Sequence, residues 1–258
     1  MSDERTAVGD DGAGTRRSGD HRSVKVSELL ARDILSDIER RQLEPGAKLL
    51  PEAAMLERYR VGRASLREAL RILEIYGIIK IKPGPGGGPV VSAVDSEQFG
   101  RTASFYFKVM GATVGDLLEA RAVLEPFMAR MAAERITPER AASMAQVLDA
   151  EGEAADDPGA GWGRASAGFH SELAGMTGNP ILDLVGRSLI SVLAERTRPI
   201  FPPGERGPTR RIHRRIGEAI MNGDSDEAAR LSESHVTALN AKMVELFPHL
   251  LDEPIEWH

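Results

Sequence analysis

Three histidines in the second half of the chain are candidate metal ligands. His170, His213 and His235 stand in the segments "GFHSEL", "RRIHRRIGEAI" and "SESHVTAL", whose neighbouring residues have helical spacing. Three helices that each present one neutral imidazole inside a bundle can bind a divalent metal such as Zn²⁺. A buried histidine that only forms a hydrogen bond is the alternative, and on spacing alone it is the commoner case.

A second candidate site lies nearer the N-terminus, where three arginines recur every four residues. Arg63, Arg67 and Arg71 fall on one side of a predicted helix over residues 63–76, and Ser65 is at its N-terminal end. An α-helix fits the DNA major groove, where arginine bonds guanine bidentately or clamps phosphate. A solvated helix face is the alternative.

A glycine-rich hairpin follows this helix. The β-branched segments "IIKIK" and "PVVSA" flank "PGPGGG", which predicts two strands joined by a tight loop. The tip, with Gly84 and Gly86, has no bulky side chain beyond its prolines and can approach a DNA backbone closely, while Lys82 adds a charge beside it. Three helices followed by such a hairpin predict a winged helix-turn-helix, and this combination favours DNA binding over a solvated surface.

Composition restricts the class of protein. The 258 residues are 41% hydrophobic and 28% charged, as in a globular protein, and there is no cysteine. Disulfides, thiolate metal sites and a cysteine nucleophile are therefore excluded, which fits a reducing, cytoplasmic location. No apolar run approaches the roughly 20 residues that span a bilayer, so we expect no membrane partner.

The charge is distributed unevenly, which indicates two functions in one chain. The net charge is −6, yet residues 23–93 carry 12 Lys and Arg against 9 Asp and Glu, and residues 94–258 carry 17 against 25. We expect a disordered tail over 1–22, the winged DNA-binding domain over 23–93, an all-helical effector-binding and dimerisation domain over 94–250, and a C-terminal tail over 251–258.

The predicted fold is mainly α, with an N-terminal winged helix-turn-helix and a C-terminal helical bundle. Periodicity and capping residues place the helices, while "EGEAADDPGAGWG" is interpreted as a loop. The predicted helices are 24–41, the segment "PEAAMLERY", 63–76, 113–136, one that starts after Thr137, 163–177, 180–198, 208–222 and 225–247.

The arginine-bearing segment resembles a known family. The run from Arg63 to Gly77 fits the pattern R-x-x-x-R-E-A-L-x-x-L-x-x-x-G, and "LEPGAKL" and "PGPGGGPVV" match its flanks. Residues 24–92 are thus similar to the DNA-binding domain of GntR-family transcription regulators, here of the FadR subfamily. One position departs from the pattern, because alanine (Ala53 or Ala54) stands where the family commonly has arginine. Arg58 and Arg60 are the candidate replacements.

The second half resembles the FCD ligand-sensing domain that accompanies this DNA-binding type. The matching segments are "LLEARAVLEPFMARMAAERI", "GFHSELAGMTGNPIL" and "RRIHRRIGEAIMNGDSDEAARLSESHV". In that family a D-x-x-x-H pair and two later histidines bind metal, which implies that His170, His213 and His235 bind Zn²⁺, Mn²⁺ or Ni²⁺. Ser166 stands at the aspartate position, and a neutral hydroxyl is a poorer ligand than a carboxylate.

The resemblance also implies a small-molecule effector pocket. Arg121 matches the arginine of the family's R-x-x-L-E helix, although an ion pair with a neighbouring glutamate is an equal alternative. Ser166 and Asn179 are further candidates, and for Asn179 the alternative is a helix cap. Trp162 is a weaker candidate for covering the pocket.

Three hypotheses about function remain at this point. The first is a transcription regulator, expected to be a repressor, that senses a metabolite such as a carboxylate at a metal site. A single recognition helix contacts too few base pairs for specific binding, so we expect this regulator to bind a palindromic operator as a homodimer. The second is a metal-free sensor of an apolar or acyl ligand. The third, a metal-dependent enzyme, lacks a general base motif beside the histidines and leaves the basic domain unexplained.

Overall fold

The computed structural model describes residues 17–93, 95–156, 161–197 and 203–256. The chain divides into two compact units, with the boundary between residues 94 and 95. The first 16 residues of the expected N-terminal tail lie outside the described ranges. Within those ranges, no helix has both the length and the apolar character that a membrane span requires.

The first unit is a winged helix-turn-helix, as predicted. Its two strands pair antiparallel, from Ile79 opposite Val91 to Lys82 opposite Gly88. Lys48 forms an isolated bridge with Val90, so the segment after the first helix lies along the hairpin. The elements are α1 (Arg17–Arg40), α2 (Glu52–Tyr59), α3 (Arg63–Ile75), β1 (Ile79–Lys82) and β2 (Gly88–Val91).

An aliphatic core fixes the orientation of α3. Leu66, Ala69 and Leu73 recur at helical spacing and are buried, with Leu66 and Ala69 fully inaccessible. They pack against apolar side chains of α1, α2 and the hairpin. The opposite face of α3 is therefore left to solvent. The buried members of this core outside α3 are Leu30, Ala31, Ile34, Ile38, Met55, Ile79 and Val91.

The second unit contains seven α-helices in its described ranges. The helix α5 is central, because it packs against α10, α7, α9 and α8. Its N-terminus is closed by a capping box in which Thr113 and Asp116 each accept a hydrogen bond from the other's backbone N–H. The helices are α4 (Ser96–Met110), α5 (Val114–Glu134), α6 (Pro138–Asp156), α7 (Trp162–Met176), α8 (Pro180–Thr197), α9 (Arg206–Met221) and α10 (Ser225–Leu246). The 3₁₀ turns are Pro203–Glu205 and Pro248–Leu250.

Two apolar clusters hold these seven helices together. The larger one surrounds Phe169, which is 1% exposed, and the smaller one lies where α5 begins and α10 ends. Gly217 allows α9 to approach α6 closely, because a Cβ atom there would lie 2.6 Å from Leu148 Cδ1. This close approach matters for the site, since His213 precedes Gly217 by one helical turn.

Both expected tails differ from the structure where it describes them. The helix α1 begins at Arg17 rather than at residue 24, so residues 17–22 are helical. At the other end, Ile255 is buried, and its N–H donates to Ala112 O at 2.9 Å. Val114 N and Gly115 N donate to carbonyls of the same C-terminal segment, which satisfies N–H groups that the first turn of α5 leaves free.

Two further differences concern the helices of the second unit. The helix α4 has no counterpart among the predicted helices, and "EGEAA" was assigned both to the end of the predicted helix after Thr137 and to the start of the predicted loop "EGEAADDPGAGWG". The helix α6 continues to Asp156, so Glu151 is helical and fully buried. The remainder of that expected loop includes residues 157–160, which lie outside the described ranges.

Candidate functional site

The candidate DNA-reading surface is the exposed face of α3. Arg63, Arg67 and Arg71 are all exposed, and Ser65 is partly buried in the first turn of the helix. Within residues 17–93, none of the three arginines forms a hydrogen bond or an ion pair with another side chain. Their guanidinium groups are therefore available to bases or phosphates.

The tip of the hairpin depends on glycine. Gly84 and Gly86 have φ angles of 91° and 76°, which side chains other than glycine rarely adopt. A Cβ atom at Gly87 would lie 2.2 Å from Lys82 O, so no side chain fits there. Lys48 Nζ donates to Gly86 O at 2.8 Å and holds the tip. The predicted wing residues Lys82, Gly84 and Gly86 are all exposed.

Of the two arginines proposed to replace the missing family arginine, Arg58 already has a partner. Its Nε donates to Asp37 Oδ2 at 2.8 Å, and Tyr59 Oη donates to the same oxygen at 2.7 Å. The hydrogen bond from Tyr59, together with Arg58, holds the pKa of Asp37 below its usual range despite burial. Arg60 is exposed, with φ 51°, and no side-chain partner is found for it in the described part of the first unit.

The structure brings the three candidate metal ligands together in the second unit. His170 on α7, His213 on α9 and His235 on α10 are buried, and one nitrogen atom from each lies within 4.8 Å of the others. His213 Nε2 and His235 Nε2 are 3.0 Å apart. Because Zn–N bonds are about 2.0–2.1 Å long, nitrogen atoms this close can share one cation.

Burial keeps the imidazoles of His170 and His235 in the form that binds metal. Desolvation lowers the pKa of His170 to about 4, against the opposing effect of Glu125. Desolvation also lowers the pKa of His235 well below its ordinary value, with a further contribution from His213. Both side chains are therefore neutral at pH 7, and a neutral imidazole has a lone pair to donate to a metal.

Two buried glutamates contact the histidines, and the sequence analysis named neither. Glu151 accepts from His213 Nδ1, with its oxygens at 2.8 and 3.0 Å, and Glu125 Oε2 lies 2.9 Å from His170 Nδ1 without hydrogen-bond geometry. For Glu125, the sequence signal was its position four residues after Arg121, which places the two side chains on the same helix face and indicates an ion pair. For Glu151 there was no such signal. Burial opposes ionisation of both glutamates, yet both have a lowered pKa: Arg121 and His170 act on Glu125, and His213 acts on Glu151.

Arg121 forms the ion pair with a neighbouring glutamate that was one of its two expected roles, and it also lines a cavity. Its Nε donates to Glu125 Oε1 at 2.5 Å, and the side chain is 5% exposed. Its Nη2 is buried with no hydrogen-bond partner, and the residue lines a cavity of about 70 Å³. Ser166 also lines this cavity, and its hydroxyl contributes to the lowered pKa of the nearby Glu151 carboxylate.

The cavity joins polar and apolar groups. Arg121, Ser166, His170 and His235 form its polar part, and Trp162 also lines it, as anticipated. Asn179 is not among the lining residues, because its Oδ1 accepts from Ile181 N and Leu182 N and caps α8. The larger apolar side chains of the lining are Leu118, Ile190, Leu193, Leu239 and Met243.

Comparisons with known proteins agree with this architecture. The model of bacterial regulatory proteins of the gntR family matches residues 26–87, and the FCD domain model matches residues 116–238. The HTH-type transcriptional repressor NanR of Enterobacter sp. (strain 638) is 30% identical over 224 residues, which cover 84% of this chain and 85% of that protein. The NanR repressor of Cronobacter sakazakii has the same identity and coverage.

A solved structure supports the same assignment. Streptococcus agalactiae GntR superposes with a TM-score of 0.66 at 27% identity, covering 83% of this chain and 99% of that one. The winged helix and the helical unit with its buried cavity define a ligand-responsive, DNA-binding regulator of transcription rather than an enzyme. The chain belongs to the GntR family of bacterial regulatory proteins and has an FCD domain as its second unit.

Proposed function

We propose that this chain is a cytoplasmic repressor that releases its operator when a small anionic effector binds beside a metal ion in the FCD domain. The observation that carries the proposal is one shared cavity. Arg121, with an unpaired buried Nη2, lines it together with His170 and His235 of the histidine triad. The NanR relatives are named as repressors, which supports the direction of regulation.

The donor set fits a divalent metal. Three imidazole ligands suit Zn²⁺ or Ni²⁺ better than Mn²⁺, which prefers oxygen ligands. When bound, the cation supplies a positive charge and open coordination positions for an anionic group. Ser166 offers only a neutral hydroxyl at the position where the family has aspartate, so the protein itself leaves room for an oxygen ligand from the effector.

The cavity also indicates the chemical class of the effector. A carboxylate can accept from Arg121 Nη2, which lacks a partner, and charge-assisted hydrogen bonds of this kind are short and strong. The remainder of the lining is mainly apolar. A small carboxylic acid with an apolar body fits this arrangement.

The size of the cavity suggests how binding is communicated. Ligand sites for small molecules commonly enclose about 300–1,000 Å³, whereas this cavity encloses about 70 Å³. Any effector of more than a few heavy atoms must therefore displace side chains or helices. A ligand that binds one arrangement of the helices better than another shifts the population toward it, which is the requirement for regulation.

A metal-free sensor of an apolar or acyl ligand is the second candidate. The observation in its favour is the apolar part of the lining, with Leu118, Leu193 and Met243. A metal-free sensor would leave the close approach of the three histidines and the unpaired Arg121 Nη2 without a role.

The test measures DNA affinity in the presence of metal and small acids. A duplex selected by the protein from a randomised pool serves as the probe, and fluorescence anisotropy gives its Kd. With Zn²⁺ present, we expect at least one acid from a panel of mono- and dicarboxylic acids to weaken binding more than about tenfold, since coupling free energies are typically 1–3 kcal/mol. The same acid should have little effect after chelation, and Arg121→Ala should abolish the response.

A Kd unchanged across the whole panel, with and without Zn²⁺, would contradict the proposal. A response to acyl chains that persists in chelator would favour the metal-free sensor.

We also propose that the FCD domain forms a homodimer through the exposed face of α5. Val123 and Phe127 lie on this face and are 69% and 54% exposed. Asp116 and Glu119 are on the same face toward the N-terminus, and Arg130 lies toward the C-terminus. Two antiparallel copies of α5 would bring the apolar centres together and place Asp116 and Glu119 opposite Arg130, which is ion-paired with Asp226 of its own chain. Such a self-complementary patch is what a two-fold interface needs.

Breaking this apolar face should give monomers. We expect Val123→Asp combined with Phe127→Asp to sediment as a monomer at micromolar concentration, because each carboxylate would be buried without a partner. Val109→Asp, an equally exposed apolar position on α4, is the matched control and should remain dimeric. A dimeric double variant would place the interface elsewhere.

A further inference from the structure

The charges around the histidine triad do not balance. Glu125 and Glu151 are both buried, at 1% and 0% exposure, but Arg121 is the one buried arginine beside them in the described residues. Arg121 pairs with Glu125. The carboxylate of Glu151 accepts from His213 Nδ1, and within the described part of the chain it contacts no Lys or Arg side chain. A buried charge without a counter-charge is costly, so a cation at the triad would offset it.

Glu151 also determines which nitrogen of His213 faces the triad. With Nδ1–H donating to the carboxylate, the lone pair is on Nε2, the atom that lies 3.0 Å from His235 Nε2. A carboxylate that accepts from the far nitrogen of a metal-binding histidine fixes its tautomer and increases its basicity. Glu151 is outside the group of side chains whose donor atoms all lie within 4.8 Å, so it acts through His213 rather than as a ligand.

Serine at position 166 is compatible with the buried carboxylate charge of Glu151. Its side chain is on the neighbouring helix α7, close enough to Glu151 for the hydroxyl to favour the ionised carboxylate. An aspartate at position 166 would replace that hydroxyl by a second carboxylate next to Glu151, and two like charges at short range in a buried site repel strongly. A serine at 166 and a glutamate at 151 are therefore compatible, whereas an aspartate at 166 and a glutamate at 151 conflict.

We infer that Glu151 is the positioning residue that supplies the negative charge of the metal site in this chain, through His213, in place of the carboxylate that position 166 lacks. This inference rests on the proposed metal site. It predicts that the negative charge can be supplied from either position. Glu151→Gln removes the carboxylate at 151, and Ser166→Asp in the same variant introduces one at 166.

The experiment is a double-mutant cycle on the full-length protein, with two readouts. Zn²⁺ affinity is measured by competition with a chromophoric chelator, and thermal stability is measured in excess chelator. We expect Glu151→Gln to weaken Zn²⁺ binding about 10–100-fold, as loss of an outer partner of a metal-binding histidine does. Ser166→Asp should lower the Tm of the metal-free protein, and the double variant should recover both the Tm and at least tenfold of the lost affinity. Glu153→Gln, exposed on the same helix, is the matched control and should change neither.

A spectroscopic readout separates positioning from a purely structural role. In long-range ¹H–¹⁵N spectra of the metal-free wild type, His213 should be protonated at Nδ1 and unprotonated at Nε2, and Glu151→Ala should change this tautomer. If the wild type binds Zn²⁺ and Glu151→Gln binds it within threefold of the wild type, the inference is overturned while the metal site stands. If the wild type takes up no Zn²⁺, the proposed metal site fails and the inference fails with it.

Discussion

Replacing Arg63 and Arg67 together by alanine is expected to weaken binding to the selected duplex roughly 30-fold or more. Each exposed guanidinium that contacts a base contributes about 1–3 kcal/mol, and 1.4 kcal/mol corresponds to tenfold in Kd. Both side chains are on the face of α3 opposite its buried residues, so their removal leaves the core intact.

The control removes the same charge from positions outside α3. Arg32→Ala with Arg41→Ala changes two exposed arginines of the winged unit that are not on α3, and it should reduce affinity much less at the same salt concentration. A double variant of Arg63 and Arg67 whose Kd stays within threefold of the wild type would show that α3 is not the reading helix.

The second large effect is expected at the histidine triad. His213→Ala should weaken Zn²⁺ binding by more than about 100-fold, because loss of a direct ligand costs more than loss of an outer partner, which already costs 10–100-fold. His235→Ala should have a similar effect. His249→Ala, an exposed histidine in the same unit, should bind Zn²⁺ as the wild type does.

Unfolding of the metal-free variants separates a lost ligand from a lost fold. His213 is fully buried and stacks on Phe169 with ring centroids 4.1 Å apart, so its truncation leaves a cavity. His235→Ala lacks this stacking contact and gives the cleaner comparison. Wild-type Zn²⁺ affinity in both variants would exclude the triad as the metal site.

The winged unit was predictable because its signals are local. Leu66, Ala69 and Leu73 repeat at helical spacing, and glycines mark the hairpin loop. Each of these features lies within a few residues of the structure that it specifies. The helix α4 gave no such signal, since Phe99, Tyr106 and other apolar side chains on it are exposed and form no simple buried stripe.

The carboxylates of the site were not predictable in the same way. Glu151 lies in a polar segment that the sequence assigned both to a helix end and to a loop, and its role depends on His213, which is 62 residues away in sequence. Their contact requires α6 and α9 to pack closely at Gly217, a consequence of the tertiary fold. The burial of Ile255 likewise depends on docking of the C-terminal segment onto the start of α5.

Metal uptake by the wild-type protein tests the central claim most directly. The full-length protein is treated with chelator, desalted and titrated with Zn²⁺, Ni²⁺ and Mn²⁺ by calorimetry, with elemental analysis of the product. If the triad is a metal site, we expect one equivalent of Zn²⁺ or Ni²⁺ to bind per chain, at the buried triad. No uptake from any of the three solutions would contradict it and leave the metal-free sensor as the better description of the FCD domain.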